Sequence, residues 1–305
     1  MSERVRLGRD QHVWSFDAAA APVLEVDPGT TLEIETWDCF TGQVQSESDT
    51  VEKIDLTRVN SATGPIGVRG ARPGDTLSVS LVEIRPDERG SAMCIPEWGQ
   101  LIDQVTSPTT RLFEVRDGVV RMNDAVSFPA RPMFGVIGVS PEEGAISTFA
   151  AGRHGGNMDD HVNGPGAIVH LPVFQEGAQL AIGDMHAAMG DGEISGTGVE
   201  IGGTATIRVD VIAGVAARWP VTETADAFYT HGTAVGDITE ALFYACEEAS
   251  RLLVDHWGFS PEDAFMFLSV AGDLGIAQFC HPCPGSVIAR MRVPKLASNP
   301  APFRL

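Results

Sequence analysis

The sequence predicts a mainly β protein, built as two related β-sandwich or barrel-like subdomains with a few covering α-helices near the C-terminus. Three observations carry this. Apolar and polar residues alternate with period two in several segments, which is the mark of a strand with one buried face. A supply of 33 Gly and 19 Pro punctuates those segments with turns. Helical periodicity appears only beyond residue 237.

Taken in chain order, Leu32, Ile34 and Thr36 alternate with Glu33 and Glu35, and Leu77, Val79 and Leu81 alternate with Ser78 and Ser80. Asp27-Pro28-Gly29 and Pro73-Gly74-Asp75 precede them as turn signals. Ala205, Ile207, Val209 and Val211 form a third alternating set, and Val287, Ala289, Met291 and Val293 a fourth. A helix is predicted over 238–256, where Ala241, Leu242, Ala245, Ala249, Leu252 and Leu253 recur at helical spacing behind an Asp237 cap. A shorter helix is predicted from Ser260, with Pro261 at its first position. The segments 64–84 and 166–186 share a strand, Gly turn, strand pattern without a gap, read either as a duplication or as chance similarity of two hairpins. With no low-complexity linker, residues 1–305 are expected to form a single domain, with subdomains at about 1–150 and 151–305 if the duplication holds.

Composition narrows the function classes. At 43% hydrophobic and 20% charged residues the chain has an ordinary globular balance. A net charge of −20 without a basic stripe argues against nucleic-acid binding. No apolar run is long enough to span a membrane, and the first ten residues carry no signal-peptide core, so a cytoplasmic location is expected. Five scattered cysteines read as free thiols of a reducing compartment.

Polar chemistry concentrates between residues 153 and 200. RHGGNMDDH at 153–161 and GDMHAAMGDGE at 183–193 flank an apolar strand, so they read as loops gathered at one end of a sheet. Asp184 and His186 are two apart; on a strand they face the same way and read as a pair able to chelate one divalent ion, while Gly183-Asp184 and Gly190-Asp191 also read as ordinary turn residues. A third ligand comes from His154, Asp159 or Asp160. A bound divalent metal lowers the pKa of water to about 7. Glu193, in a Gly-rich turn, is placed to take a proton from such a water and return it to a departing amine. Asp191 is placed to do the same, or to orient His186. Asn157 reads either as a donor to a carbonyl or as a turn residue. Cys280 and Cys283 have C-x-x-C spacing but lack a second pair. Cys39 follows a strand and reads either as a nucleophile or as a small buried hydrophobe.

The segments TWDCFTGQ (36–43), TGPIGVRGARPGDTLSVSLVEI (63–84), GVIGVSP (135–141), HGGNMD (154–159), LPVFQEGAQLAIGDMHAAMGDGE (171–193), GTGVE (196–200) and LSVAGDLGIAQ (268–278) together resemble the acetamidase/formamidase family, in its shorter, acetamidase-like branch, over nearly the whole chain. The resemblance implies a largely β fold with two related subdomains. It also implies hydrolysis of short aliphatic amides such as formamide or acetamide to ammonia and the carboxylic acid, and a homo-oligomer. A divalent metal is implied near GDMH and HGGNMD, with zinc expected first and calcium or magnesium as alternatives. The family commonly has Gln before GDGE where this chain has Met189, which implies a pocket wall with less hydrogen-bonding capacity. The resulting expectation is a metal-dependent amidase acting on a small neutral amide, with Glu193 and Asp191 catalytic, Asn157 and Met189 at the substrate, and Asp184, His186, Asp159 and His154 on the metal. The competing readings are amide hydrolysis through Cys39 with a structural metal, and a non-catalytic small-molecule-binding β module. Asp38 and Asp273 remain unplaced.

Overall fold

The computed structural model describes residues 5–282, 285–298 and 303. The four alternating segments all form strands, at Thr31–Thr36, Thr76–Pro86, Gly203–Ile212 and Val287–Pro294. All four belong to a nine-stranded sheet. A seven-stranded sheet lies against it, in the order Ala151–Gly152, Gly155–Asn157, Met133–Gly138, Leu180–His186, Ala62–Val68 and His12–Val13, with Leu24–Val26 paired to Ala62–Val68. The inward faces of both sheets meet in one buried core, with Ile34, Leu77, Val79, Ile207 and Val209 from the first and Ile66, Val68, Ile137, Leu180 and Ile182 from the second. Burying such aliphatic faces contributes about 25 cal/mol per Å² of apolar surface. The mainly β prediction therefore holds, and its sequence basis is the period-two pattern.

Strands from the two halves of the chain interleave. Thr76–Pro86 pairs with both Ile168–Pro172 and Gly203–Ile212, and Met133–Gly138 pairs with Leu180–His186. The two similar segments run in opposite senses across the sandwich. The first passes from the seven-stranded sheet to the nine-stranded one, and the second passes back.

The two late helices form as expected. α1 (Ile238–Trp257) starts where the Asp237 carboxylate accepts from Thr239 N at 2.9 Å and Glu240 N at 3.2 Å, and stops at Gly258 in the left-handed region. α2 (Pro261–Ala271) is capped by Ser260, which accepts from Asp263 N at 3.0 Å. Ala241, Ala245, Ala249 and Leu252 of α1 pack with Val287, Ala289, Met291 and Val293 on the outer face of the nine-stranded sheet. The alternate residue Ile288 joins the inter-sheet core. Arg290 has the same parity as Ile288, and this directs it away from the helices.

Candidate metal centre

Asp184 and His186 lie on Leu180–His186 and share a face by strand parity. Both are buried, and His186 Nε2 is 3.4 Å from Asp184 Oδ2. A bridge between His186 and Glu200 lays the GTGVE segment beside this strand and brings Glu200 Oε2 to 3.1 Å from His186 Nε2. Met158 N and Asp159 N both donate to Gly135 O, at 2.8 and 3.2 Å, and this pins Asp159 over the neighbouring strand. The loop carrying Glu193 docks on the strand Asp273–Gln278. There Gly192 N donates to Ala277 O at 2.8 Å, and Phe279 N donates to Gly192 O at 2.7 Å.

These loops enclose a cavity of about 40 Å³ lined by Cys39, Asn60, Trp98, Asn157, Asp159, Asp184, Glu193, Glu200 and Gln278 among others. That volume suits an ion with a water-sized molecule or two, since water itself occupies about 30 Å³ in the liquid. A larger surface hollow of about 450 Å³ beside Arg69, Arg72 and Glu176 contains no histidine or cysteine.

Ligand atoms of Asp159, His186 and Glu193 lie within 4.8 Å of one another, and so do those of Cys39, Asp184 and Glu200. Asp159 Oδ1, Asp184 Oδ1, Glu200 Oε2 and both ring nitrogens of His186 are buried without an aligned hydrogen-bond partner. Orphaned buried polar atoms of this kind are costly unless something binds them. At Gly135, an added Cβ would collide with Asp159 Oδ1 and Asp184 Oδ2, so the glycine leaves room for the two carboxylates to converge. Nitrogen and oxygen donors in this arrangement fit a divalent cation.

The electrostatics agree. Burial and the Asp184 charge push Asp159 well above the carboxylate range, burial and the Asp159 charge do the same to Glu193, and burial pushes Glu200 up to about 7. Burial also raises Asp184, but the adjacent His186 outweighs it and holds Asp184 below its ordinary value. Burial would lower His186, yet the Glu200 and Asp184 carboxylates hold it well above the usual imidazole value. Four carboxylates in so small a space lack positive charge, which a divalent cation supplies. Backbone strain gathers here too: Asp159, Asp184 and Glu193 have φ of 35°, 52° and 40°. Such conformations cost on the order of 1 kcal/mol or more and persist where the surroundings over-determine them.

Of the expected residues, the structure brings together Asp184, His186, Asp159, Glu193 and Asn157. Asn157 ends a short strand rather than occupying a left-handed turn. It donates its amide to Asp159 Oδ2 and accepts from Asn60 Nδ2 at 2.9 Å. The structure places three other expected residues outside this cavity. His154 lies apart from the cavity, edge-on to Phe16 at a centroid distance of 5.1 Å, because the left-handed Gly155 and Gly156 turn the chain between it and Asp159. Asp191 pairs with His161 at 2.9 Å and Arg290 at 2.7 Å; burial is outweighed by these partners, and its pKa falls to about 2, unsuited to a base at neutral pH. Met189 is buried but does not line the cavity. Asp38 ties its own loop, accepting from Phe40 N and Gly42 N at 2.9 Å each, and Asp273 is an exposed partner of Arg292. Cys280 lines the cavity, and Cys283 lies outside the described residues. Glu200 and Gln278 were absent from the expected set. Their signal was position alone, at the ends of two polar segments. Gln278 Nε2 lies 3.4 Å from both Asp159 Oδ2 and Glu193 Oε2.

A two-sheet β scaffold that sinks one histidine and four carboxylates into a small closed space defines a candidate N/O metal centre. Residues 10–150 and 142–294 match the Acetamidase/Formamidase family model, and the chain belongs to that family, amidohydrolases acting on linear amides. It is similar to the solved acetamidase of Bacillus halodurans (37% identity, 95% of this chain and 97% of that one, TM-score 0.91). It is also similar to the structure of a predicted acetamidase/formamidase from Thermoanaerobacter tengcongensis (38% identity, 95% of each chain, TM-score 0.91). A Schizosaccharomyces pombe relative named "Putative formamidase" is 27% identical over 248 residues, and the match spans 60% of that protein.

Proposed function

We propose that the protein hydrolyses short aliphatic amides, formamide and acetamide among them, to ammonia and the carboxylic acid in a divalent-metal-dependent reaction. The observation that carries this is the set of orphaned ligand atoms on Asp159, Asp184, His186 and Glu200 around a cavity of about 40 Å³. Asp159, Asp184, His186 and Glu200 would hold the ion. A histidine among oxygen donors favours zinc over calcium or magnesium, which select oxygen alone. The ion when bound supplies acidity to water and polarisation to a carbonyl. Glu193 takes the proton from the attacking water and passes it to the leaving amine. Burial and the neighbouring Asp159 charge push its pKa up, which favours its holding a proton. Gln278 aligns Glu193 and Asp159, and Asn157 fixes Asp159 from its other side. Trp98 and Phe149 close the space against larger acyl groups.

The covalent route through Cys39 is disfavoured. Burial and the carboxylates of Asp184 and Glu200 push its thiol well above the ordinary value, opposite to what a nucleophile needs. The Cys39 sulfur fits better as a neighbour of the Asp184 and Glu200 ligands.

The proposal extends to assembly and location. Phe243, Phe265, Met266 and Val270 are exposed on α1 and α2 and form the natural face for a homo-oligomer. Among the described residues no helix is long and apolar enough to cross a membrane. Free thiols at Cys39, Cys94 and Cys246 suit a reducing, cytoplasmic compartment.

The test is ammonia release from formamide, acetamide and propionamide before and after chelation, with zinc, calcium or magnesium added back. Activity removed by chelation and restored by one metal supports the reading. Full activity after complete metal removal refutes the metal-dependent mechanism, and no ammonia from any short amide refutes the substrate class.

A further inference from the structure

Outside the cavity, Asp160, His161 and Asp191 form a third cluster of potential ligand atoms within 4.8 Å. Its positive charge is already provided. Arg290 Nη1 is 2.6 Å from Asp160 Oδ1, and Nη2 is 2.7 Å from Asp191 Oδ2. His231, the cross-strand partner of Arg290, reaches the other oxygen of Asp160 at 3.0 Å.

The placement of these acids matters more than their pairing. Asp160 follows Asp159, and Asp191 precedes Glu193 by two residues. One guanidinium therefore ties together the two loops that deliver Asp159 and Glu193 to the cavity. Asp159 and Glu193 offer ligand atoms within 4.8 Å of each other, so their charges repel. Both sit at positive φ, a conformation that needs external support. A buried ion pair adds little net stability over an apolar pair of the same shape, so its contribution is better sought in geometry. The Arg290 side chain is only 11% exposed, and Asp160 is fully buried, so water weakens neither end of the first bond.

We infer that Arg290 is a positioning residue: by bridging Asp160 and Asp191 it sets the separation of Asp159 and Glu193 and so tunes the affinity of the centre for its cation. This rests on the reading of the cavity as a metal centre. It touches neither substrate nor ion.

Two variants test it. Arg290→Met keeps the aliphatic stem and removes both arms. Asp191→Asn weakens one arm at a half-exposed position and serves if the first variant fails to fold. Metal-free protein is titrated with zinc in competition with a chromophoric chelator, and ammonia release from acetamide is measured separately. Arg290→Met should bind zinc about 10-fold or more weakly, as expected for loss of an outer hydrogen-bond partner, and Asp191→Asn should lose less zinc affinity because it frees only the loop of the proposed base. The kcat should fall by a similar factor with KM changed less than about threefold, as when bound substrate is held but its reacting groups are misplaced. Arg290→Lys should restore part of both. Zinc affinity and kcat within about twofold of wild type in folded Asp191→Asn, with only thermal stability reduced, would overturn the inference. A wild-type protein that binds zinc but releases no ammonia refutes the amidase reading, and zinc affinity then decides the role of Arg290. A wild-type protein with no affinity for zinc overturns both.

Discussion

The side-chain amide of Asn60 donates to Asn157 Oδ1 at 2.9 Å, and Asn157 donates onward to Asp159. The orientation of this chain is fixed by its far end, where Asn60 Nδ2 also donates to the Thr148 carbonyl at 3.1 Å. A buried backbone carbonyl is thus connected to a carboxylate in the centre through two amides that each have one workable orientation. Asn60→Ala should therefore cost about 1–3 kcal/mol of folding stability, from unpaired buried polar groups. It should also lower amide turnover about 10-fold or more by freeing Asp159. Urea unfolding and steady-state kinetics on the same preparation check both. A stability loss with unchanged turnover would show that Asn157 holds Asp159 without help.

Gly135→Ala should abolish zinc binding while leaving the circular dichroism spectrum intact. The new methyl group would enter the space where Asp159 and Asp184 converge, and rigid strands on either side prevent its accommodation. Equilibrium dialysis against zinc is the measurement, and wild-type affinity in this variant would place the ion elsewhere.

Glu193→Gln should reduce kcat by roughly a hundred- to ten-thousand-fold, the range for a lost general base. Zinc content, read by elemental analysis, should stay at the wild-type level. A variant that loses its metal would instead place Glu193 among the ligands, a role its proximity to Asp159 and His186 permits.

His154 predicts a pH dependence of stability. Burial lowers its pKa from 6.5 to about 4. Above pH 6.5 the ring is neutral folded and unfolded. Between 6.5 and 4 the unfolded chain takes up a proton that the folded chain refuses, so stability falls as the pH falls. The full effect is on the order of 3 kcal/mol. Unfolding curves of wild type and His154→Phe at pH 7, 5.5 and 4.5 should therefore show the wild type losing its relative advantage toward acid. A difference independent of pH would mean that the ring is solvated.

Local periodicity made much of this molecule legible. Strand parity alone put Asp184 and His186 on one face, and capping chemistry placed both helices to within a residue of their observed starts. The failures share a physical cause. His154 and Asp159 are five residues apart, yet two left-handed glycines send them to different places, and no periodic pattern encodes that turn. Glu200 joins His186 through a pairing between separate segments, which spacing does not reveal. Arg290 looked like one polar residue in an alternating strand; its importance arises only when the sandwich brings Asp160 and Asp191 to it. Gln278 does not titrate, so nothing in its residue type marks it as part of a charged site.

The centre draws Asp184 and His186 from the seven-stranded sheet, while Glu193 is held by a loop docked on an edge strand of the nine-stranded sheet. Neither sheet alone brings the proposed ligands and the proposed general base together. A cation that binds only the closed sandwich stabilises it by about 2.7 kcal/mol at a hundred times its dissociation constant. An ion bound as proposed would act as a seam between the two layers, and a half-assembled molecule would have nothing with which to capture it.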